Sequence, residues 1–520
     1  MELIYEYRDH FQANLAAQKQ AAAASHTEFP DNAPSWEELE ALFQRRCSDT
    51  NYREPWGYPT PDAMPHANPK QKVRTFGAPA AEAEKCKFYR DFCCYDPDCQ
   101  RVWLYLEARR IPHTVQLVGL RHYGGVSEEL KQAGVPNGAP PAIKLDGTFY
   151  YGIDRILEAL DSKYPENTCK KTAKKFGDRQ LPVLPPLGDP LRDEFATLRT
   201  LHKDLKAAWI RWLCSAEDAS QVAAWKAQFE ESLDELVATL EAANDGVLIE
   251  DEAPREAGWG APGPFFLGAK PSLLDYYIAP DLERMAASLA YYKGYQLRGA
   301  GLHAPLDAWF AAMEGLPSYL GTRSDAYAIV HHIRPTLGGC GETDEGDAEQ
   351  IRAAIDGKDG HAWKLPLPPV SQSVGIEPYA PGDHPAWDML EAASRMLANR
   401  EHILPFCCRG MGEVGEHKLT AHLSDPTAQP AMEFAPDVDA AMRHVTHLLL
   451  LGDPGAKQAS DAPMFPPSTA PRGERMRRAG AAAVCLAYLR DRVGVPRDLT
   501  YPGARQLRAH LNWAIDQLLG

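Results

Sequence analysis

Lys87-Phe-Tyr-Arg-Asp-Phe-Cys-Cys-Tyr-Asp96-Pro-Asp-Cys99-Gln-Arg-Val-Trp103 decides the fold. Lys87-Phe-Tyr reads as a short strand. Asp96 is a strong helix N-cap, Pro97 suits the first helical position, and Val102, Leu104 and Leu106 continue the helix. Outward from there, Thr114–Leu120 reads as a second strand. Ala142–Leu145 and Phe149–Tyr151 flank Asp146-Gly147, a turn signal that joins antiparallel strands. Ile153, Ile156, Leu157 and Leu160 follow helical spacing and close the unit, with Ile153 expected in the core. The order is β-α-β, then β-β-α.

The flanking sequence changes character. Residues 190–335 are helical, with the stripe Phe229, Leu233, Leu236, Val237 and Leu240 and a helix opened by Ser272-Leu-Leu-Asp275. Ser35, with Glu38 three residues on, starts a short helix near the N-terminus, and residues 50–82 read as a Pro-rich extended arm. Residues 336–365, with an acidic run, read as a connector or loop. The apolar run Ala481–Leu489 and the stripe Leu507, Leu511, Ile515 and Leu518 need burial. Residues 384–520 are therefore expected to form a helical unit packed on the core rather than a loose tail. The expected domains are 1–84 (arm), 85–165 (α/β), 190–335 (all-α), 336–383 (linker) and 384–520 (helical extension).

Composition narrows the function. Lysine and arginine total 55 against 71 acidic residues, a net charge of −16, which repels phosphate backbones and makes nucleic acid an unexpected partner. The longest apolar run is nine residues, well short of the ~20 of a membrane helix. Eleven scattered cysteines do not read as a disulfide framework, so mostly free, buried thiols in a reducing compartment are expected. Gly410-Met-Gly412-Glu-Val-Gly415 follows a Pro-interrupted segment and reads as a loop, not a dinucleotide fingerprint. His417 with His422, and His444 with His447, lack the further ligands of a zinc set. Tyr291, Tyr292, Tyr295 and Trp309 read as core aromatics, with a substrate platform as the alternative.

Taken together, Tyr89-Arg-Asp, Asp96-Pro-Asp-Cys99-Gln-Arg-Val-Trp103, Leu106-Glu-Ala-Arg-Arg-Ile-Pro112 and Tyr123-Gly124 resemble the glutathione S-transferase-like family of plants and algae. Phe265-Phe-Leu-Gly268, Ala279–Met285 and the C-terminal Val495-Pro-Arg-Asp-Leu499 add to the likeness. The resemblance implies a thioredoxin-like N-terminal domain, an all-helical C-terminal domain and an additional helical extension. It implies glutathione as the ligand and a plastid as the location, with the cytosol as the alternative.

Three positions depart from what that resemblance implies. The family's Cys-Pro-Tyr-Cys motif caps the first helix with a thiol activated by the helix N-terminus. Asp96 stands there instead. Cys99 is then either a tucked-in first-turn residue or a substitute nucleophile, and Cys93 and Cys94 are either packed or a displaced thiol. Pro141 aligns with the cis-proline of the fold, and the residue before it, which pairs with the tripeptide backbone, is Pro140, lacking an N–H. The Glu-Ser pair that grips the γ-glutamyl end is replaced by Gly152-Ile153; Asp154 follows and is suited to an amine but repels the adjacent carboxylate. The expected function is a protein with an eroded glutathione site, weak or lost binding, and a role as a binding or structural subunit with other proteins. The alternative is an active glutathione-dependent transferase or thiol oxidoreductase using Cys99 or Cys94.

Overall fold

The computed structural model describes residues 32–52, 72–120, 126–165, 184, 190–215, 218–247, 259–344, 346–367, 377, 384–413, 423, 428–452 and 472–519. Most of the expected arm, Tyr123-Gly124, Gly415, His417 and His422 lie outside these residues. The chain divides into two compact units: residues 1–57, 353–375 and 380–520 form one, and residues 58–352 with 376–379 form the other. Helix α1 (Trp36–Thr50) belongs to the first and is taken up with it below.

In the unit built on residues 58–352, a five-stranded sheet has the order β1-β3-β2-β4-β5. Its strands are β1 (Val73–Arg74), β2 (Cys86–Asp91), β3 (His113–Val118), β4 (Ala142–Leu145) and β5 (Thr148–Tyr151). β2 and β3 run parallel, and the other neighbouring strands run antiparallel. Helix α2 (Pro97–Ala108) makes the β2-to-β3 crossover. Asp146 and Gly147 turn β4 into β5 with φ of 46° and 91°, the left-handed pair that a two-residue hairpin uses. Strand β1 comes from the arm and was not expected. Buried Arg74 fixes it with a bidentate pair to buried Glu107 on α2 (2.8–3.1 Å).

After a short helix α3 (Glu128–Gln132), helix α4 (Ile153–Lys163) buries Ile156, Leu157 and Leu160. Ile153 is only half-buried, so its expected core place is corrected: it stands at the first turn, ahead of the apolar stripe.

Helices α5 (Leu191–Cys214), α6 (Ala219–Asp245), α7 (Leu273–Lys293), α8 (Ala304–Glu314) and α9 (Ala326–Leu337) follow. Helix α7 is central: nearly every residue from Leu273 to Tyr292 is buried, and it packs on α2, α5 and α9. Its start is fixed by Asp275, whose buried carboxylate accepts from Ser272 N (2.7 Å), Ser272 Oγ (2.7 Å), Phe266 N (3.1 Å) and Trp309 Nε1 (2.8 Å). The Ser-x-x-Asp signal thus marks a real helix start. Tyr291, Tyr292 and Trp309 are core side chains, and Tyr295 is half-buried. The stretch read as a connector contains helix α10 (Ala348–Ile355), which buries Ala348 and Ile351.

The described regular structure of the other unit is helical, chiefly α1, α11 (Pro385–Cys408), α12 (Ala435–Leu451), α13 (Arg472–Arg490) and α14 (Tyr501–Leu519). One core takes Leu39 of α1, Leu390 and Met396 of α11, Val438 and Val445 of α12, residues 481–487 of α13, and Leu507, Leu511, Ile515 and Leu518 of α14. The two apolar stretches that demanded burial therefore bury each other. Trp363 docks here as well: its carbonyl accepts from Asn512 Nδ2 (3.0 Å), and the Arg508 guanidinium lies 5.0 Å from its ring. Ser35 and Glu38 form the expected capping box at α1.

Candidate functional site

The centre of the candidate site is the join between β2 and α2. Asp91, the last residue of β2, is buried, and its carboxylate accepts the Tyr95 amide (2.7 Å). The loop therefore folds back over the strand end. Asp96 closes the loop as N-cap, its carboxylate accepting the Cys99 amide at 2.7 Å. The position that the resemblance gives to a thiol is thus held by a working cap. Burial and the neighbouring Asp98 and Asp91 push the Asp96 carboxyl up to about 7.

Cys99 lies one turn in. It is 2% exposed, and its Sγ accepts the Asp91 amide at 3.4 Å. Burial, then Asp96 and Asp91, push its thiol well above the ordinary range. A thiol in that setting stays protonated near neutral pH, which suits the tucked-in reading.

Cys94 differs. Its backbone is left-handed at φ 63°, which is uncommon for a non-glycine residue, and the residue is 6% exposed. Arg90 Nη1 donates to its Sγ at 3.1 Å, while the guanidinium stacks on Trp103 4.3 Å from the ring centroid. A guanidinium against sulfur stabilises negative charge there. Nothing in the sequence signals this pairing beyond the Tyr-Arg-Asp strand itself.

The loop is tied from the helical side by residues that sequence reasoning missed. Arg284 of α7 donates to the Tyr95 carbonyl (2.6 Å) and to Gln100 Oε1 (2.9 Å). Gln100 donates to Glu283 (3.0 Å), which accepts the Ser324 amide (2.8 Å). The Tyr95 ring rests 4.9 Å from that of His332. Arg101 reaches Asp98, Asp281 and, at 2.7 Å, the Tyr277 carbonyl. Burial alone would push the Asp281 carboxyl up, but Arg101, His202 and Lys206 hold it well below the usual carboxylate range.

The remaining positions lie at the ends of β4 and α4. The Pro140–Pro141 bond is cis, and Pro140 is buried. Gly152 caps α4 at φ 78°, a conformation that strains any side chain and explains glycine here. Exposed Asp154 pairs with Arg199 at 2.6 Å, and Arg199 stacks on Tyr277 at 4.6 Å. Asp154 is thus engaged with a cation from α5.

Away from this site the other motifs are structural. Gly410 and Gly412 follow helix α11, not a strand. A Cβ at Gly412 would stand 1.5 Å from the Gln429 carbonyl oxygen, so close backbone packing accounts for it. His444 Nε2 pairs with Asn32 Oδ1 (3.0 Å), and no cluster able to hold a metal is present among the described residues. None of the described helices is long and apolar enough to cross a membrane.

Residues 97–163 match the family model of the glutathione S-transferase N-terminal domain, and residues 219–312 match that of the C-terminal domain. Among curated proteins, the chain is 25% identical over 244 residues to "Glutathione S-transferase DHAR3, chloroplastic" of Arabidopsis thaliana, covering 47% of this chain and 74% of that one. It is 26% identical over 203 residues to "Glutathione S-transferase DHAR2" of the same plant, covering 39% of this chain and 72% of that one. Among solved structures, glutathione transferase Omega 3C of Trametes versicolor is 24% identical, with a TM-score of 0.35 over 48% of this chain and 91% of that one. The chain thus carries a glutathione S-transferase-like fold, a thioredoxin-like domain followed by a helical one, with further helices beyond it.

Proposed function

We propose that this is a glutathione S-transferase-like protein whose glutathione site is eroded, and that it serves as a binding or structural subunit rather than as a transferase. The observation that carries the reading is Asp96 in the N-cap position, bonded to the Cys99 amide at 2.7 Å. A carboxylate there does the structural work of the cap and supplies no sulfur. Two further features support it. Pro140 offers no amide to a tripeptide backbone, and Gly152 with half-buried Ile153 offers no acid or hydroxyl to a γ-glutamyl end. Glutathione binding is weak or lost on this reading. Partners are other protein subunits, without nucleic acid, given the net charge of −16. The name of the chloroplastic relative favours a plastid, with the cytosol as the alternative.

One observation favours a second reading, an active glutathione-dependent transferase or thiol oxidoreductase: Arg90 Nη1 stands 3.1 Å from Cys94 Sγ. Cys99 is the weaker candidate because two carboxylates and burial oppose its thiolate. An assay of glutathione-dependent thiol transfer separates the readings. Background rates in both the unmutated chain and Cys94→Ser are expected. Turnover that Cys94→Ser abolishes would establish the second reading.

A further inference from the structure

The segment after α9 returns across the ends of two helices. The Gly341 amide donates to the Leu213 carbonyl (2.8 Å), and the Thr343 amide donates to the Tyr292 carbonyl (3.0 Å). Arg352 Nη1 holds the Thr343 carbonyl at 2.6 Å, so the segment is fastened on both sides. Cys214 directly follows the Leu213 acceptor, and Cys340 directly precedes the Gly341 donor. The two cysteines therefore adjoin across one short backbone hydrogen bond, the kind of close approach that a disulfide needs.

Three observations set this pair apart. Cys214 is exposed and Cys340, like Cys47 elsewhere in the chain, is half-buried, whereas Cys86, Cys93, Cys94, Cys99, Cys407, Cys408 and Cys485 are buried. A charge on Cys214 is felt at Cys340, and charges on both are felt at Lys293. Lys293 is held beside them by donating from Nζ to the Ser215 carbonyl at 2.7 Å. Burial pushes the Cys214 thiol up, and the Lys293 ammonium beside it opposes that push, which favours the thiolate that exchange requires.

We propose that Cys214 and Cys340 are a redox-responsive thiol pair, which closes to an internal disulfide on exposure to a low-molecular-weight disulfide of the glutathione disulfide type. The exposed Cys214 thiolate attacks one sulfur of the oxidant, forming a mixed disulfide and releasing one small thiol. Cys340 then loses its proton to solvent, and its sulfur attacks Cys214 Sγ. The mixed S–S bond breaks, and a second small thiol leaves. Two protein thiols are oxidised and one small disulfide is reduced to two thiols. Burial, and then the charge of Cys214, push the Cys340 thiol up to about 12, which sets this order of attack. The exchange happens at an open surface and needs no glutathione-binding site, so it stands apart from the proposed function.

The test is on the full chain, incubated with glutathione disulfide, alkylated under denaturing conditions, and mapped by non-reducing peptide mass spectrometry. A linked peptide pair carrying Cys214 and Cys340 is expected, with both thiols lost to alkylation and both restored by dithiothreitol. Cys340→Ser is expected to stop at a stable glutathione adduct on Cys214, and Cys214→Ser to leave Cys340 unmodified. Lys293→Met is expected to slow closure several-fold. Three results would each overturn the proposal: a lasting adduct on Cys214 in the unmutated chain, both thiols remaining alkylatable, or linkage through Cys214 to a second chain.

Discussion

At the scale of single residues, the proposed loss of thiol chemistry turns on Asp96. Its carboxyl is raised above the ordinary aspartate value by burial first, and then by Asp98 and Asp91. In the unfolded chain it ionises near pH 4. Between about pH 4 and the folded value of about 7, the folded state holds a proton that the unfolded state has released. Stability from this group is therefore complete below pH 4 and is lost as pH rises through 7. Asn keeps the capping acceptor without the charge. Asp96→Asn is expected to raise stability at pH 8 by on the order of 1–2 kcal/mol, and to change it little at pH 4. Urea denaturation at the two pH values checks this; equal effects at both would show that Asp96 is ionised without cost. Asp96→Cys asks about the chemistry. The helix N-terminus favours thiolate, but Asp91 and Asp98 oppose it. A reactive thiol is expected to appear in this variant before turnover does, read as the alkylation rate against pH. Rapid labelling of Cys99 near neutral pH in the unmutated chain would contradict the role assigned to Asp96.

Among the elements, those that announce themselves by local chemistry were legible in the sequence. Asp96-Pro97, Ser272 with Asp275, and Ser35 with Glu38 all mark real helix starts, and Asp146-Gly147 marks the hairpin between β4 and β5. Features made by distant partners were not. Strand β1 has two residues, too few to show a period, and depends on Arg74 finding Glu107 33 positions away. Ile153 fits the apolar stripe of α4 by spacing but stands at its first residue and stays half-buried. Helix α10 hides in an acidic, glycine-bounded stretch whose Ala348 and Ile351 give only a faint stripe. At the site, the three departures were visible residue by residue. The Arg90–Cys94 contact and the hold of Arg284 on the loop require the folded chain. The start of α7 offers an element-scale test. Asp275 serves four donors in the core, and Asp275→Ala leaves them without an acceptor. A loss of about 3 kcal/mol or more is expected in denaturant unfolding. A loss under about 1 kcal/mol would show that the cap is dispensable.

For the whole molecule, the proposed binding role rests on the helices beyond the transferase-like fold. Helices α11, α12, α13 and α14 share a core with α1, so they are expected to resist limited proteolysis at protease levels that leave the described helices of residues 85–335 intact within the full chain. Rapid cleavage inside α11, α12, α13 or α14 would show a loose extension and remove it as a surface for assembly. The central claim, however, is that the glutathione site is eroded, and calorimetric titration of the full chain with reduced glutathione tests it most directly. The absent thiol, the absent Pro140 amide and the absent γ-glutamyl grip together predict no saturable heat, or a Kd above ~1 mM, which corresponds to no more than about 4 kcal/mol of binding. A saturable isotherm with a Kd of tens of micromolar or tighter would contradict the account.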